Sequence, residues 1–174
     1  MPRLLMPWQV RLRARGTDGS PYLRSAVVAV IVTCTAACSQ EISTNVPAPS
    51  FASGAEQRAA VHFCRQVQAS LPQTIGGASR VTAEPDSPFT AAWTRNSSFV
   101  TLRCAAGVRH IRGESLLTVD GVDWRVSSST TETVLTAVDR TVSIDLTVPK
   151  DAGAVADFLV DLAKVVRKSA PLRR

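Results

Sequence analysis

An enzyme needs reactive side chains that converge on one place, and this chain offers few of them. Two histidines, His62 and His110, stand among 174 residues. No HExxH, GxSxG, SxxK or glycine-rich phosphate loop accompanies them. His110 lies between Arg109 and Arg112, a trio that could hold an anion but reads as a solvated turn. Asp120 and Asp123 form a carboxylate pair. They have no nearby His, Cys or third carboxylate, so no metal and no cofactor is expected. Cys64 and Cys104 lack a CxxC spacing and a basic cluster that would lower a thiol pKa. The chemistry these cysteines suit is cross-linking to each other. In an oxidising compartment two such cysteines suggest one disulfide.

A means of export precedes them. From Ala26 to Ala37 the chain is apolar and uncharged. About 12 residues make roughly 18 Å of helix, against about 20 residues for a membrane span. The run is short for a span and the right length for a signal h-region. Arg3, Arg11, Arg13, Arg15 and Arg24 precede it, against Asp18 alone. The run closes on Thr35-Ala36-Ala37-Cys38, which resembles the bacterial lipobox, where small residues precede a cysteine that receives diacylglycerol. Ala36, Ala37 and Cys38 fit; Thr35 stands where Leu is usual. The expectation is a lipoprotein signal over residues 1–37, lipidation at Cys38, and residence on the outer face of the cytoplasmic membrane. Plain cleavage and secretion is one alternative, because Thr35 and Ala37 also satisfy the small-x-small rule, and an uncleaved anchor is another. Cys34 would be discarded with the signal.

The formal charge of +6 does not mark a nucleic-acid binder. Five of the 20 basic residues lie in the first 37 positions, and from Cys38 onward 15 basic residues face 13 acidic ones. They are interspersed and carry no interleaved aromatics, so the electrostatic footprint of nucleic-acid binding is missing. The 137 residues from Cys38 onward suit one domain with a single core.

The elements follow from periodicity. Residues 38–54 are rich in Ser, Pro, Ala and Gly and read as a flexible tether, roughly 50 Å long when extended. Residues 55–170 read as the domain. Ala60, Phe63, Cys64, Val67 and Leu71 recur at helical spacing over Ala55–Leu71, and Pro72 stops the helix. His62 lies off that stripe. Residues 73–93 read as a long connection, with a short edge strand near Arg80–Ala83 and one helical turn over Ser87–Trp93. Phe99–Cys104 alternates as a strand and places Cys104 on its apolar face. A bridge between Cys64 and Cys104 would add roughly 3–4 kcal/mol by loop closure. Asp120-Gly121 predicts a type I′ hairpin that pairs Val119 with Val122, Leu117 with Trp124 and Ser115 with Val126. Thr131–Val138 and Arg140–Val148 form a second strand pair. A final helix opens near Asp151, its expected N-cap, with Val155, Phe158, Leu159, Leu162, Val165 and Val166 as its stripe and a frayed basic tail behind it. The predicted fold is α+β: a two-layer sandwich in which an antiparallel meander sheet of about five strands carries two helices on one face.

Several of these stretches, in this order, carry a family likeness: Cys64-Arg65 with Leu71-Pro72, Ser87-Pro88 through Ala91-Ala92-Trp93, Leu102-Arg103-Cys104, Val119 through Trp124, and Leu135 through Arg140. Over residues 60–168 the chain resembles an uncharacterised family of actinobacterial exported or membrane-anchored proteins, a domain of unknown function (DUF3515). Ala105 stands where many relatives carry Gly. The resemblance implies that Cys64 and Cys104 are the family's paired cysteines, and it implies no catalytic residues.

The expected function is a lipid-anchored, non-catalytic binding or structural module whose partner is an envelope protein or glycan. Its expected binding surface joins Phe89 and Trp93 to the hairpin residues Asp120, Asp123 and Trp124. The alternatives are a cell-envelope enzyme using His110 or Asp123, and a soluble secreted protein.

Overall fold

The computed structural model describes residues 41–108, 111–112 and 115–173. The signal, Cys38, Arg109 and His110 lie outside the described residues. In chain order the elements are β1 (Ser43–Asn45), α1 (Gly54–Ser70), β2 (Thr74–Ile75), β3 (Ala78–Glu84), β4 (Thr90–Arg95), β5 (Ser98–Ala106), β6 (Leu116–Val119), β7 (Val122–Ser128), β8 (Glu132–Ala137), β9 (Val142–Pro149) and α2 (Val155–Ser169).

The described sheet has nine strands, and the expected five-stranded meander is corrected accordingly. Its order is β1-β3-β4-β5-β9-β8-β7-β6, with β2 paired on β3. Two antiparallel meanders, β3-β4-β5 and β6-β7-β8-β9, are joined where β9 pairs with β5. The reason lies in side chains. Val142, Ile144, Leu146 and Val148 of β9 are all buried, so β9 belongs at the centre. The four-residue β6 takes the edge, where a short strand leaves little unpaired backbone. Three hairpins turn through two residues each, at Gly76-Gly77, Asn96-Ser97 and Asp120-Gly121, and each of these residues has a positive φ, as a type I′ turn requires. The last hairpin has the expected register, Val119 with Val122 and Leu117 with Trp124. Its ladder stops at Leu116, so Ser115 does not extend it, and Leu117 and Val126 remain exposed.

α1 follows its expected bounds. Ser53 Oγ accepts from the Glu56 amide, and the Glu56 carboxylate accepts from the Ala52 amide, so each satisfies a free N–H at the helix start. Ala60, Cys64 and Val67 face inward, and α1 packs on β5 and β9. α2 packs on α1, β6 and β7, burying Phe158, Leu159, Leu162 and Val166. Its N-cap is Ala154, not Asp151, because Pro149 and Ala152 first close a turn. Asp157 in its first turn, and Arg167 and Lys168 in its last, match the helix dipole as expected. The tail does not fray where expected: the Thr141 amide donates to the Pro171 carbonyl and the Arg173 amide to the Asp139 carbonyl, both at 2.9 Å.

Two further expectations are corrected. Ser87–Trp93 forms no helical turn; Thr90–Arg95 is β4, paired on both sides. The β-branched and aromatic residues there accept the pleat, and the small Ala91 and Ala92 fit where the sheet is covered on both faces, at 1 % and 0 % exposure. The tether is also not free along its length. β1 adds to β3 in parallel, Ser43 opposite Thr82, and Val46 beyond it is buried and donates to the Glu84 carbonyl. Further on, Phe51 lies against Phe89 with ring centroids 5.1 Å apart. Backbone pairing holds a segment that has no apolar period of its own.

Candidate functional site

Cys64 points inward from α1 and Cys104 from the buried face of β5. Their sulfurs are bonded, with Cα atoms 5.7 Å apart and both residues fully buried. The bridge closes a separation of 40 residues and contributes about 4 kcal/mol by the loop-closure account. Both thiols are thereby removed from chemistry.

The expected binding surface does not exist as a surface. Trp93 and Trp124 are 0 % exposed and Phe89 is 7 % exposed. Each is an inward-facing residue whose aromatic bulk fills the layer between sheet and helices. The two halves are also apart. Trp93 is on β4 and Trp124 on β7, with β5, β9 and β8 between them, a separation of roughly 19 Å at the usual strand spacing. Asp120 is exposed at the hairpin tip, where its positive φ explains it. Asp123 is half-buried and accepts from Thr118 Oγ1 at 2.6 Å across the same hairpin. The Asp120 backbone and the Asp123 carboxylate thus both serve the hairpin. His62 is exposed, as expected, and its Nε2 lies 3.2 Å from the Gln66 amide nitrogen. Among the described residues no three His, Cys, Asp or Glu side chains come close enough to hold a metal ion.

Sequence reading missed two arginines. Arg140, 4 % exposed, donates Nη2 to the Gly121 carbonyl at 2.7 Å and Nη1 to the Ala170 carbonyl at 3.2 Å. It ties the hairpin tip to the end of α2. Burial lowers its pKa from the ordinary arginine value; nearby Asp123 raises it and Arg167 lowers it again. Arg80 lies over the Trp93 ring, 4.8 Å from its centroid, and donates to Gln68 Oε1 at 2.9 Å. Burial lowers its pKa as well. A buried arginine has no periodic signature; the nearest signal was a charged residue one place after the turn residue Asp139.

Over β5 and β9, the sheet face away from the helices is polar. Thr101, Arg103, Asp145 and Thr147 alternate with buried neighbours on β5 and β9. Arg103 Nη2 stands 3.8 Å from Asp145 Oδ2, and Thr136 Oγ1 donates to Asp145 Oδ1 at 2.8 Å. Asn45, Val46 and Pro47 border a cleft of about 350 Å³ on this face with Thr101, Arg103 and Thr147. Hydroxyls and one loose ion pair can bind a polar ligand, but they form no nucleophile–base arrangement.

Taken together, these features define an α+β domain with one buried disulfide and, over β5 and β9, a polar outer sheet face. The chain belongs to the DUF3515 family, proteins of unknown function, whose match spans residues 23–174. That span is wider than the stretch that carried the resemblance, and it takes in the apolar run and Cys38. Neither a curated protein nor a solved structure matches the chain. No helix of the described residues is long and apolar enough to cross a membrane.

Proposed function

We propose that this protein is an exported, lipid-anchored module of the cell envelope that binds or organises a partner rather than catalysing a reaction. Cys38 carries the lipid, and the domain works on the outer face of the cytoplasmic membrane. The observation that carries this reading is the buried Cys64–Cys104 bridge, because such bonds persist in oxidising compartments and are rare in the cytosol. The apolar run and its terminal Cys38 support it, lying within the family match and not beside it. The non-catalytic part rests on occupation: both body thiols are bonded, Asp120 makes a turn, and Asp123 pairs with Thr118. The partner is an envelope protein or glycan. It meets the polar sheet face around Thr101, Arg103 and Thr147, not the buried aromatics.

The deciding experiment is the intact mass of the protein from native membranes, with and without reductant. The expected mass begins at Cys38, carries a diacylglyceryl adduct, and rises on reduction by the mass of two hydrogens, about 2 Da. An unmodified mass in the culture medium would make the secreted alternative the correct one. No shift on reduction would return Cys64 and Cys104 to the list of reactive groups.

A further inference from the structure

The cleft on the outer sheet face carries a charge at each end and hydroxyls between them. Arg103, Asp145 and Thr136 stand opposite one another on β5, β9 and β8, and Thr101 and Thr147 form the next such row. Arg103 is loosely held. Its Nη2 stands 3.8 Å from Asp145 Oδ2, too far for a hydrogen bond, while Asp145 Oδ1 accepts from Thr136 at 2.8 Å. Asp145 thus steadies the guanidinium without using up its five N–H donors. The Arg103 side chain is 40 % exposed, so a ligand can reach it. An ion pair this long at a surface is worth little, and a ligand that shares it loses little.

Glu132 also borders the cleft and is exposed. It lies four residues before Thr136 on β8, the residue level with Arg103. At ordinary sheet spacing the Cα atoms of Arg103 and Glu132 are roughly 16 Å apart, and two long side chains narrow that gap. Three extended residues span about 10 Å. Among the described residues no aromatic ring borders the cleft, so the flat platform on which a sugar face stacks is missing. We propose that this cleft binds the free carboxylate end of a short peptide segment. Arg103 takes the carboxylate through its planar fork, Thr101 and Thr147 meet the backbone amides, and Glu132 takes an ammonium group about three residues away. The proposal rests on the binding-module reading above and names the chemistry of its partner.

The test uses the full chain in detergent micelles and the probe Ala-Ala-Ala, whose side chains carry no charge, titrated by ligand-observed saturation-transfer NMR. The free acid should bind about tenfold more tightly than the C-terminal amide, which keeps the size and loses the charge. Arg103→Gln should erase that preference, and Arg103→Lys should keep only part of it, since an ammonium lacks the fork. Acetylating the peptide amine, or Glu132→Gln, should weaken the acid about threefold, and added NaCl should weaken it further, because exposed charges are screened. The acid–amide comparison on the unaltered chain needs no variant to fold. Equal binding of acid and amide, or binding of neither, would overturn the carboxylate site and leave the anchored-module reading to the intact-mass measurement. Binding of chitotetraose in place of the peptide would overturn the peptide and put a glycan in the same cleft. Hydrolysis of the bound tripeptide would uphold the site and overturn the non-catalytic reading instead.

Discussion

Arg140 holds a positive charge where water barely reaches, and it donates to two carbonyls, the buried one of Ala170 and that of Gly121 at the exposed hairpin tip. Removing it leaves both carbonyls short of a donor. Arg140→Ala should cost about 2–4 kcal/mol, read as a lower urea midpoint with unchanged slope. Two glycines make a sharper comparison. A Cβ on Gly107 would lie 2.1 Å from the Arg140 carbonyl oxygen, which is backbone and cannot step aside, whereas a Cβ on Gly121 meets nothing within 4 Å. Gly121 is held only by its φ of +74°. Gly121→Ala should therefore cost about 1 kcal/mol, and Gly107→Ala upwards of about 3 kcal/mol or the fold itself, in the same titration. Residue by residue, the sequence was legible where chemistry is local. Cys64 and Cys104 announced themselves by sitting on apolar faces. Trp93 and Trp124 were misjudged because an aromatic near a loop looks the same whether it faces out or in. Only packing distinguishes the two, and both lie under the helices.

Elements were legible in proportion to their length and period. α1 and α2 carry apolar stripes long enough to fix their faces, and the Asp120-Gly121 turn fixed a register that matched residue for residue over Val119–Val122 and Leu117–Trp124. β1 was not legible at all. Ser43, Thr44 and Asn45 have no alternation, and they become a strand only because β3 offers an unpaired edge. That dependence is testable. Thr44→Pro removes a ladder donor or distorts its neighbours, and uncovering the β3 edge should raise light scattering of the warmed protein well before it changes far-UV circular dichroism. A disulfide links α1 to β5 covalently. The Cys64→Ala/Cys104→Ala pair should lose about 4 kcal/mol, less whatever structure the reduced unfolded chain keeps, measured by denaturation of both proteins under identical conditions.

At the scale of the whole molecule, two layers and two helices on one face could be inferred from apolar faces alone, but strand order could not. Alternation in β9 says that one side is buried; it does not say that β5 is its neighbour rather than β4 or β6. That choice is made by the long connection from β5 to β6, which carries the chain to the far edge, and nothing in residues 107–115 advertises it. The order has a consequence for how the molecule comes into being. Ala106 finds its partner in Val142 and Thr101 in Thr147, so the middle seam of the sheet waits for the last strand to be made. Contacts this distant along the chain slow folding, and until they form, β3-β4-β5 is a three-stranded fragment with an open apolar seam. A version truncated before Val142 should show no cooperative melting transition by calorimetry, and the full chain should acquire one only after β9 is present: synthesis order and sheet order together make the last strand the latch.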